Sequence, residues 1–258
     1  MTAQGIQFIM AYKEPRHFIE RAYQSALKAV EHCPNKIDIK IHCDFKRDDL
    51  DDLPCIQIKG FEKGLTVSLN DTIEWSIRKG YKYYYRLDSD DINTQYRFKS
   101  TLEAFQKYPT TTFVYGRAYD LQTTHVLKSS ICHEWLLRLV LSASNPIIHS
   151  TVAINLDNIV SRPYNEEFKF SQDYELWRKM SKTVDFRFFF LDEILVGVEK
   201  WHSCISITKK NEQLNCKSNL TSKHAYLINK KLLVNAYWLL SILITKFRWT
   251  RANYNRKV

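Results

Sequence analysis

The chain of 258 residues is 45% hydrophobic and carries a formal net charge of +10. This length and apolar content allow one sizeable core, and no Pro-, Gly- or Ser-rich linker divides the sequence, so we expect one domain with a C-terminal appendage. The positive charge allows an anionic substrate, an anionic membrane or nucleic acid as a partner. The 6 glycines are few for this length, which excludes Gly-rich phosphate-binding loops.

The cysteines are scattered along the sequence and form no CxxC pair. The N-terminal sequence has no basic region ahead of its apolar run, so we expect no signal peptide. These features predict reduced thiols in a cytoplasmic protein.

The N-terminal part of the chain alternates between strand and helix patterns. Residues 6–12 form a short apolar run, and Pro15 suits the first turn of a helix with an apolar face. Residues 36–43 alternate strictly between apolar and polar side chains, residues 54–58 resemble a third strand, and a second helical face precedes Gly80. This alternation predicts a mostly parallel sheet flanked by helices, with ligands bound at the carboxyl ends of its strands.

The stretch YKYYYRLDSDD, residues 81–91, combines a buried strand with an acidic end. Three carboxylates, Asp88, Asp90 and Asp91, follow its aromatic and apolar side chains. Like charges at the end of a buried strand raise the energy of the site unless a cation or hydrogen bonds neutralise them. Mg²⁺ is commonly held by one or two carboxylates together with the phosphates of a substrate, so this stretch predicts a metal and phosphate site.

An Asp-rich stretch is also typical of a turn that caps a helix. In this alternative, Asp91 or Thr94 caps a helix that starts near Gln95 and binds no ligand.

The second half of the sequence predicts shorter elements. We expect strands at residues 112–115, 117–121, 184–191 and 194–201, and a loop entering a strand at residues 145–154. Ser171 is predicted to cap a helix that carries Asp173 in its first turn. A carboxylate there has a simpler alternative role, which is to complement the helix dipole.

Residues 232–247 are apolar nearly all round but too short for a membrane span, which needs about 20 apolar residues. Lysines and arginines flank this segment, and Trp238 and Trp249 lie within or just after it. A helix of this kind suits the interface of an anionic membrane, and it suits equally a helix packed on the catalytic domain or in a homodimer.

Taken in order, five segments within residues 6–207 resemble the glycosyltransferase family 2 enzymes of bacterial surface polysaccharide synthesis. These segments are FIMAYKEPRHFIERAYQSAL, IHCDF, EKGLTVSLN, RLDSDD and SQDYELW. RLDSDD matches the family's DxD motif, and it also resembles a group of rhamnosyltransferases. The resemblance implies a GT-A fold, that is, a Rossmann-like α/β sheet, for residues 1–207. Residues 208–258 would form the C-terminal helical extension.

The resemblance also implies a metal-dependent inverting transfer of a sugar from a UDP- or dTDP-sugar to a hydroxyl of a glycan or lipid-linked glycan. Such acceptors are precursors of capsule or lipopolysaccharide. The acceptor hydroxyl loses a proton as it attacks, and Asp173 is the candidate base. Asp90, Asp91 and His202 are the candidate ligands of Mn²⁺ or Mg²⁺, and His149 is interpreted as structural. The candidate donor-binding residues are Tyr12, Glu14, Asp44, Lys63, Asn70, Arg86 and Asp88.

Two other functional classes remain open from the sequence. A nucleotidyltransferase also uses carboxylates, a nucleotide and Mg²⁺ on an α/β sheet, but no Gly-rich loop with Lys or Arg follows the first strand. A basic nucleic-acid-binding module could stack bases on the tyrosines of YKYYYR. Most tyrosines lie in predicted core segments, however, so we expect no nucleic acid partner.

Overall fold

The computed structural model describes residues 4–58, 62–127, 131, 133–183 and 187–200. The predictions for His202, for residues 208–258 and for the boundary between the two predicted regions lie outside these residues. Within them, no helix is long and apolar enough to cross a membrane.

Helices and strands alternate along the first half of the chain, as the sequence predicts. The helices are α1 (Arg16–Glu31), α2 (Leu65–Arg78), α3 (Arg97–Lys107), α4 (Glu134–Leu141) and α5 (Gln172–Met180). The strands are β1 (Gly5–Ala11), β2 (Ile37–Cys43), β3 (Cys55–Ile56), β4 (Tyr83–Asp88), β5 (Ile92–Asn93), β6 (Phe113–Asp120), β7 (Val126–Leu127), β8 (Ala153–Asn155) and β9 (Phe188–Val198).

The strands form one sheet in the order β3-β2-β1-β4-β8-β6-β9-β5, with β7 paired to β6. The strands β3, β2, β1 and β4 are parallel, and so are β6 and β9. The short strand β8 is antiparallel to both of its neighbours, β4 and β6. The predicted mostly parallel α/β sheet is confirmed, with β8 reversed at its centre and the two-residue strands β5 and β7 antiparallel to β9 and β6.

Strand β1 shows why the sheet is covered on both faces. All seven of its residues are buried, and alternate side chains enter different apolar clusters. Phe8 packs with Leu69 of α2, whereas Ile9 packs with Ala22 of α1. Because both faces of the strand are buried, its sequence is apolar apart from Gln7 and does not alternate between apolar and polar residues.

The structure joins predicted strands that the sequence separates. Residues 112–115 and 117–121 lie largely in the single strand β6, and its pairing with β9 is irregular between Tyr115 and Arg117. A Cβ at Gly116 would lie 2.7 Å from the Leu195 side chain, so the close approach of β9 requires glycine there. The two predicted closing strands likewise overlap one long strand, β9.

One local prediction was wrong, and one helix was missed. Ser171 precedes α5 but has a left-handed backbone, with φ of 56°, and its side chain makes no capping hydrogen bond. Helix α4 was not predicted, because a short apolar run such as EWLLRLVL does not distinguish a strand from a buried helix.

Candidate functional site

The carboxyl ends of β1, β2 and β4 lie at one edge of the sheet. The registers pair Ala11 with Cys43 and Met10 with Asp88, so all three parallel strands end at the same level. The predicted residues Tyr12, Asp44 and Asp88 follow or end these strands. Their placement at one edge, where ligands bind in open α/β sheets, is therefore confirmed.

The loop after β1 is fixed onto the Asp-rich loop after β4. Glu14 Oε2 accepts hydrogen bonds from the backbone N–H of Tyr12 at 2.7 Å and from Ser89 Oγ at 2.8 Å. Arg47 Nη1 donates to the carbonyl oxygen of Glu14 at 3.0 Å. Glu14 thus positions both loops at the sheet edge.

Asp44 fixes the loop that leads into α2. Its carboxylate accepts hydrogen bonds from the backbone N–H groups of Lys63 at 3.3 Å and Gly64 at 2.9 Å, and from Ser68 Oγ at 3.1 Å. Gly64 has a φ of 84°, which favours glycine at this turn. The hydrogen bonds seen for Asp44 are those of a residue that shapes the start of α2.

A narrow pocket opens between the ends of β1 and β2 and the start of α2. It is lined by Met10, Ala11, Tyr12, His42, Asp44, Leu65 and Ser68. Beside it, the rings of Tyr12 and Phe45 meet edge to face, with centroids 4.7 Å apart, and Lys13 Nζ lies 5.3 Å from the Phe45 centroid. Burial lowers the pKa of His42, so this histidine is neutral in the pocket wall.

The three carboxylates of the Asp-rich loop differ in their surroundings. Asp88 is 37% exposed and pairs with Arg86 Nη2 at 2.5 Å, and Asp90 is half-buried. Asp91 is 3% exposed and accepts hydrogen bonds from Ser150 Oγ and from the backbone N–H of Glu199. Burial, with the charges of Asp88 and Asp90 close by, raises the pKa of Asp91 well above its usual range. Asp91 therefore faces the protein, whereas Asp88 and Asp90 remain partly exposed.

The helix-cap alternative does not describe this loop. Helix α3 begins at Arg97 after Tyr96, without a side-chain capping hydrogen bond. The carboxylate of Asp91 is bound to Ser150 and Glu199, and Thr94 Oγ1 donates to carbonyl oxygens of β9.

The buried Arg97 supports the Asp-rich loop from the protein interior. Arg97 is fully buried, and it donates to Asn93 Oδ1 at 2.6 Å and to the carbonyl oxygen of Arg86 at 2.8 Å. Asn93 and Gln7 exchange amide hydrogen bonds at 2.8 and 3.1 Å. Burial lowers the pKa of Arg97 to about 10, so it still carries its charge at neutral pH. This network ties β4, β1 and α3 together beneath the loop.

The residues present fit a divalent cation held jointly with a ligand. Across the part of the chain that the structure describes, no group of three His, Cys, Asp or Glu side chains is arranged to hold a metal ion. Mg²⁺ bound by one or two carboxylates and substrate phosphates needs no such group, and Asp88 and Asp90 supply oxygens of the required kind. The Mn²⁺ or Mg²⁺ site remains a prediction.

Asp173 lies on α5, apart from the loops that follow β1, β2 and β4. It occupies the first turn of α5, as predicted, and its Oδ2 accepts a hydrogen bond from Asn145 Nδ2 at 2.7 Å. The negative charges of Asp88 and Asp173 both act on the buried guanidinium of Arg86. The structure thus brings the candidate base, Arg86 and the Asp-rich loop into one site.

Asn70 holds the segment that leads to α5. Its side chain exchanges hydrogen bonds of 2.9 Å with the backbone N–H and carbonyl of Tyr164, and it donates to Glu166 Oε1 at 2.9 Å. Asn70 is 1% exposed. Its predicted role in donor binding remains untested, but these contacts assign it a structural role.

We expect the substitution Asn70→Ala to lower the free energy of unfolding by about 2–3 kcal/mol, because it leaves buried backbone groups of Tyr164 without partners. Urea denaturation measures this change. The control Asn165→Ala removes one exposed contact, to the backbone N–H of Glu167, and should cost less than about 1 kcal/mol. Unchanged stability with a loss of donor affinity would instead assign Asn70 to the ligand.

Sequence reasoning missed three residues of this site. His149 Nδ1 is hydrogen-bonded to Arg86 Nη1, and His149 Nε2 lies 2.7 Å from Tyr164 Oη. Ser150 binds Asp91. His149 and Ser150 reach the sheet edge because β8 runs antiparallel to β4, with Ala153 opposite Tyr85, and only this pairing could have identified them.

No protein-family model and no curated protein matches the sequence. Solved structures do match: residues 1–349 of S. aureus TarS superpose with a TM-score of 0.57 at 13% identity, over 84% of this chain and 65% of that chain. The complex of TarS with UDP-GlcNAc matches with a TM-score of 0.56 at 14% identity, over 77% of this chain and 59% of that one. The complex with UDP matches with a TM-score of 0.55 at 12% identity, over 77% and 61%.

The chain therefore spans less than two thirds of the length of these TarS structures. At such low identity the likeness concerns the fold alone. The arrangement of the sheet and its helices is the GT-A fold of glycosyltransferases.

Proposed function

We propose that the protein is a metal-dependent inverting glycosyltransferase of the family 2 type. It would transfer a sugar from a UDP- or dTDP-sugar to a hydroxyl of a glycan. One observation carries the proposal: Asp88 of the Asp-rich loop pairs with the buried Arg86, and the charge of Asp173 acts on the same guanidinium, at the ligand-binding edge of a GT-A fold. The TarS complexes with UDP-GlcNAc and UDP support a nucleotide-sugar donor.

On the donor side, the chain must bind a nucleotide and neutralise its diphosphate. The pocket beside Tyr12 and Phe45 offers aromatic faces and the cation of Lys13 to the nucleoside end of the donor. Asp90, with Asp88, would hold Mn²⁺ or Mg²⁺, which when bound supplies Lewis-acid stabilisation of the leaving diphosphate. Arg86 holds Asp88 in place for this task.

On the acceptor side, Asp173 accepts the proton of the attacking hydroxyl. Asn145 donates to Oδ2 of Asp173 and thereby fixes the orientation of the carboxylate. Direct attack by the acceptor hydroxyl on the anomeric carbon, from the face opposite the leaving group, inverts the configuration there. No covalent sugar–enzyme bond is needed.

The experiment that tests the proposal offers the purified protein a panel of UDP- and dTDP-sugars with Mn²⁺ or Mg²⁺. Slow release of the nucleoside diphosphate by hydrolysis is expected with the correct donor. Release of pyrophosphate from a nucleoside triphosphate would instead indicate a nucleotidyltransferase. Binding of nucleic acid without any sugar turnover would contradict both activities.

We further propose that the acceptor is a lipid-linked precursor of capsule or lipopolysaccharide, and that the C-terminal segment brings the protein to an anionic membrane. The basis is the sequence of residues 232–247, which is apolar with basic flanks.

Removing the residues after Lys230 is expected to weaken binding to anionic vesicles strongly, because each Lys or Arg near the surface contributes about 1 kcal/mol. Vesicle sedimentation with and without anionic lipid measures this change. If the truncated and full chains bind equally, the segment packs on the protein or in a homodimer, and sedimentation velocity then separates these two arrangements.

A further inference from the structure

We infer that His149 is a positioning residue that keeps the guanidinium of Arg86 on Asp88. This inference deepens the proposed function, on which it rests. Three observations carry it: the hydrogen bonds of the His149 ring, the ion pair of Arg86 with Asp88, and the contacts that hold His149 itself.

The hydrogen bonds of His149 define its protonation state. Arginine can only donate, so Arg86 Nη1 donates to Nδ1 of His149, which must therefore carry no proton. The proton of a neutral imidazole then lies on Nε2, where it is donated to Tyr164 Oη at 2.7 Å. An imidazolium at this position would place a second positive charge against Arg86. The N–H groups of Nδ1 and of Arg86 Nη1 would then face each other with no acceptor between them.

Arg86 has two side-chain partners among the described residues. Its Nη2 binds Asp88 at 2.5 Å. Arg86 is 5% exposed, so solvent does little to screen this attraction. Its Nη1 is held by His149, whereas Nε has no hydrogen-bond partner in that part of the chain. The bond to His149 is thus the second contact that fixes the direction of the guanidinium on Asp88.

His149 is itself held in place. Its ring meets the indole of Trp177 at a centroid distance of 5.7 Å and an angle of 87°. Tyr164, its second hydrogen-bond partner, is held through its backbone by Asn70. The next residue in the chain, Ser150, binds Asp91 of the Asp-rich loop. A ring with so many fixed neighbours can orient a longer, more flexible arginine.

The consequence concerns Asp88. If the guanidinium of Arg86 turned away, Asp88 would lose the ion pair that holds its carboxylate in place. By accepting from Arg86, His149 keeps Asp88 in position in the Asp-rich loop.

Kinetics test this role through a conservative series at one position. His149→Ala is expected to lower kcat by about 10–100-fold, the range typical of residues that orient a functional ligand, with KM for the donor within about threefold of the original value. His149→Asn, whose Oδ1 can accept from Arg86, should recover most of this loss. Tyr164→Phe should cause a smaller loss, and the exposed control His125→Ala should cause none.

A double-substitution cycle separates positioning from a general structural effect. In an Arg86→Met background, His149→Ala should cause no further loss of kcat, because its only target is absent. Additive losses would overturn the inference, as would a His149→Ala variant with unchanged kcat. If His149→Ala does not fold, as judged by its thermal transition, His149→Asn and Tyr164→Phe carry the same test.

A second readout does not require the enzyme to turn over. ¹⁵N NMR of the imidazole in the free, full-length protein at neutral pH should show an unprotonated Nδ1 and a protonated Nε2. An imidazolium or the opposite tautomer would overturn the inference even if the enzyme is active. The expected tautomer in a protein that fails to use any nucleotide sugar would leave the hydrogen-bonded arrangement standing and reject the proposed function alone.

Discussion

Replacing Asp173 with asparagine is expected to lower the rate of sugar transfer by about 10²–10⁴-fold, the usual contribution of a general base. The affinities for the donor and the metal should stay within about threefold, well below that range. The reason is geometric: the predicted donor and metal residues that the structure describes lie on β4, on α2 and on the loops after β1, β2, β3 and β4, whereas Asp173 lies on α5 and binds Asn145. Asparagine keeps the shape of the side chain and can still bind Asn145, so the change removes the proton acceptor rather than the fold.

Transfer rates under single-turnover conditions, together with calorimetric binding of the donor, measure these two quantities separately. Asp157→Asn is the matched control. Asp157 follows β8 near the level of Tyr83, at the start of β4 rather than at its carboxyl end, so this substitution should change neither rate nor affinity. If Asp173→Asn kept transfer within about threefold of the original rate, well below the expected loss, the base would be elsewhere.

Glu175 is then the next carboxylate to test. It also lies in the first turn of α5, and burial raises its pKa above the usual range. Its Oε2 is buried and has no hydrogen-bond partner within the described ranges. A loss of transfer in Glu175→Gln, with Asp173→Asn active, would identify Glu175 as the base.

The sequence predicts the parallel half of this fold well because each element there has a local cause. Strand β1 is apolar apart from Gln7 because both of its faces are buried, and Pro15 precedes α1 because its fixed φ suits a helix start. Strand β8 is different. It has three residues, it reverses direction between β4 and β6, and its pairing is set by distant partners. The sequence predicts a strand at this point, but its reversed direction leaves no local signal.

The site residues divide in the same way, into those that the local sequence predicts and those that distant parts of the chain position. Asp44, Asp88 and Asp90 directly follow or end strands, so the rule that ligands bind at carboxyl ends predicts their position. His149 reaches Arg86 through the reversed strand, and Tyr164 reaches His149 through the segment held by Asn70. A lone histidine in a sequence is ordinarily structural. The inward direction of Asp91 has the same origin, since Ser150 and Glu199 come from distant parts of the chain.

Replacing Asp90 with asparagine is expected to remove metal-dependent donor binding and to lower transfer by at least about 10³-fold, because Lewis-acid stabilisation of a leaving diphosphate contributes several kcal/mol. Asp90 is half-buried at the outer side of the loop, and its carbonyl oxygen is held by Arg21 Nη2 at 2.7 Å. The backbone is therefore fixed by a contact that the substitution leaves intact, so the fold should survive. Titration of the donor with and without Mn²⁺ measures the loss, and a chelator should reproduce it in the unchanged protein.

Asp91→Asn provides the sharpest comparison, since it makes the same chemical change one residue later. The Asp91 carboxylate is buried and binds Ser150 and Glu199, and an asparagine amide can keep both contacts by accepting from the backbone N–H and donating to the hydroxyl. We therefore expect Asp91→Asn to retain metal-dependent binding that Asp90→Asn loses. The exposed control Asp48→Asn should resemble the unchanged protein. Equal losses in the two loop variants would assign Asp91 to the metal after all, whereas transfer that resists a chelator would exclude a metal role for the whole loop.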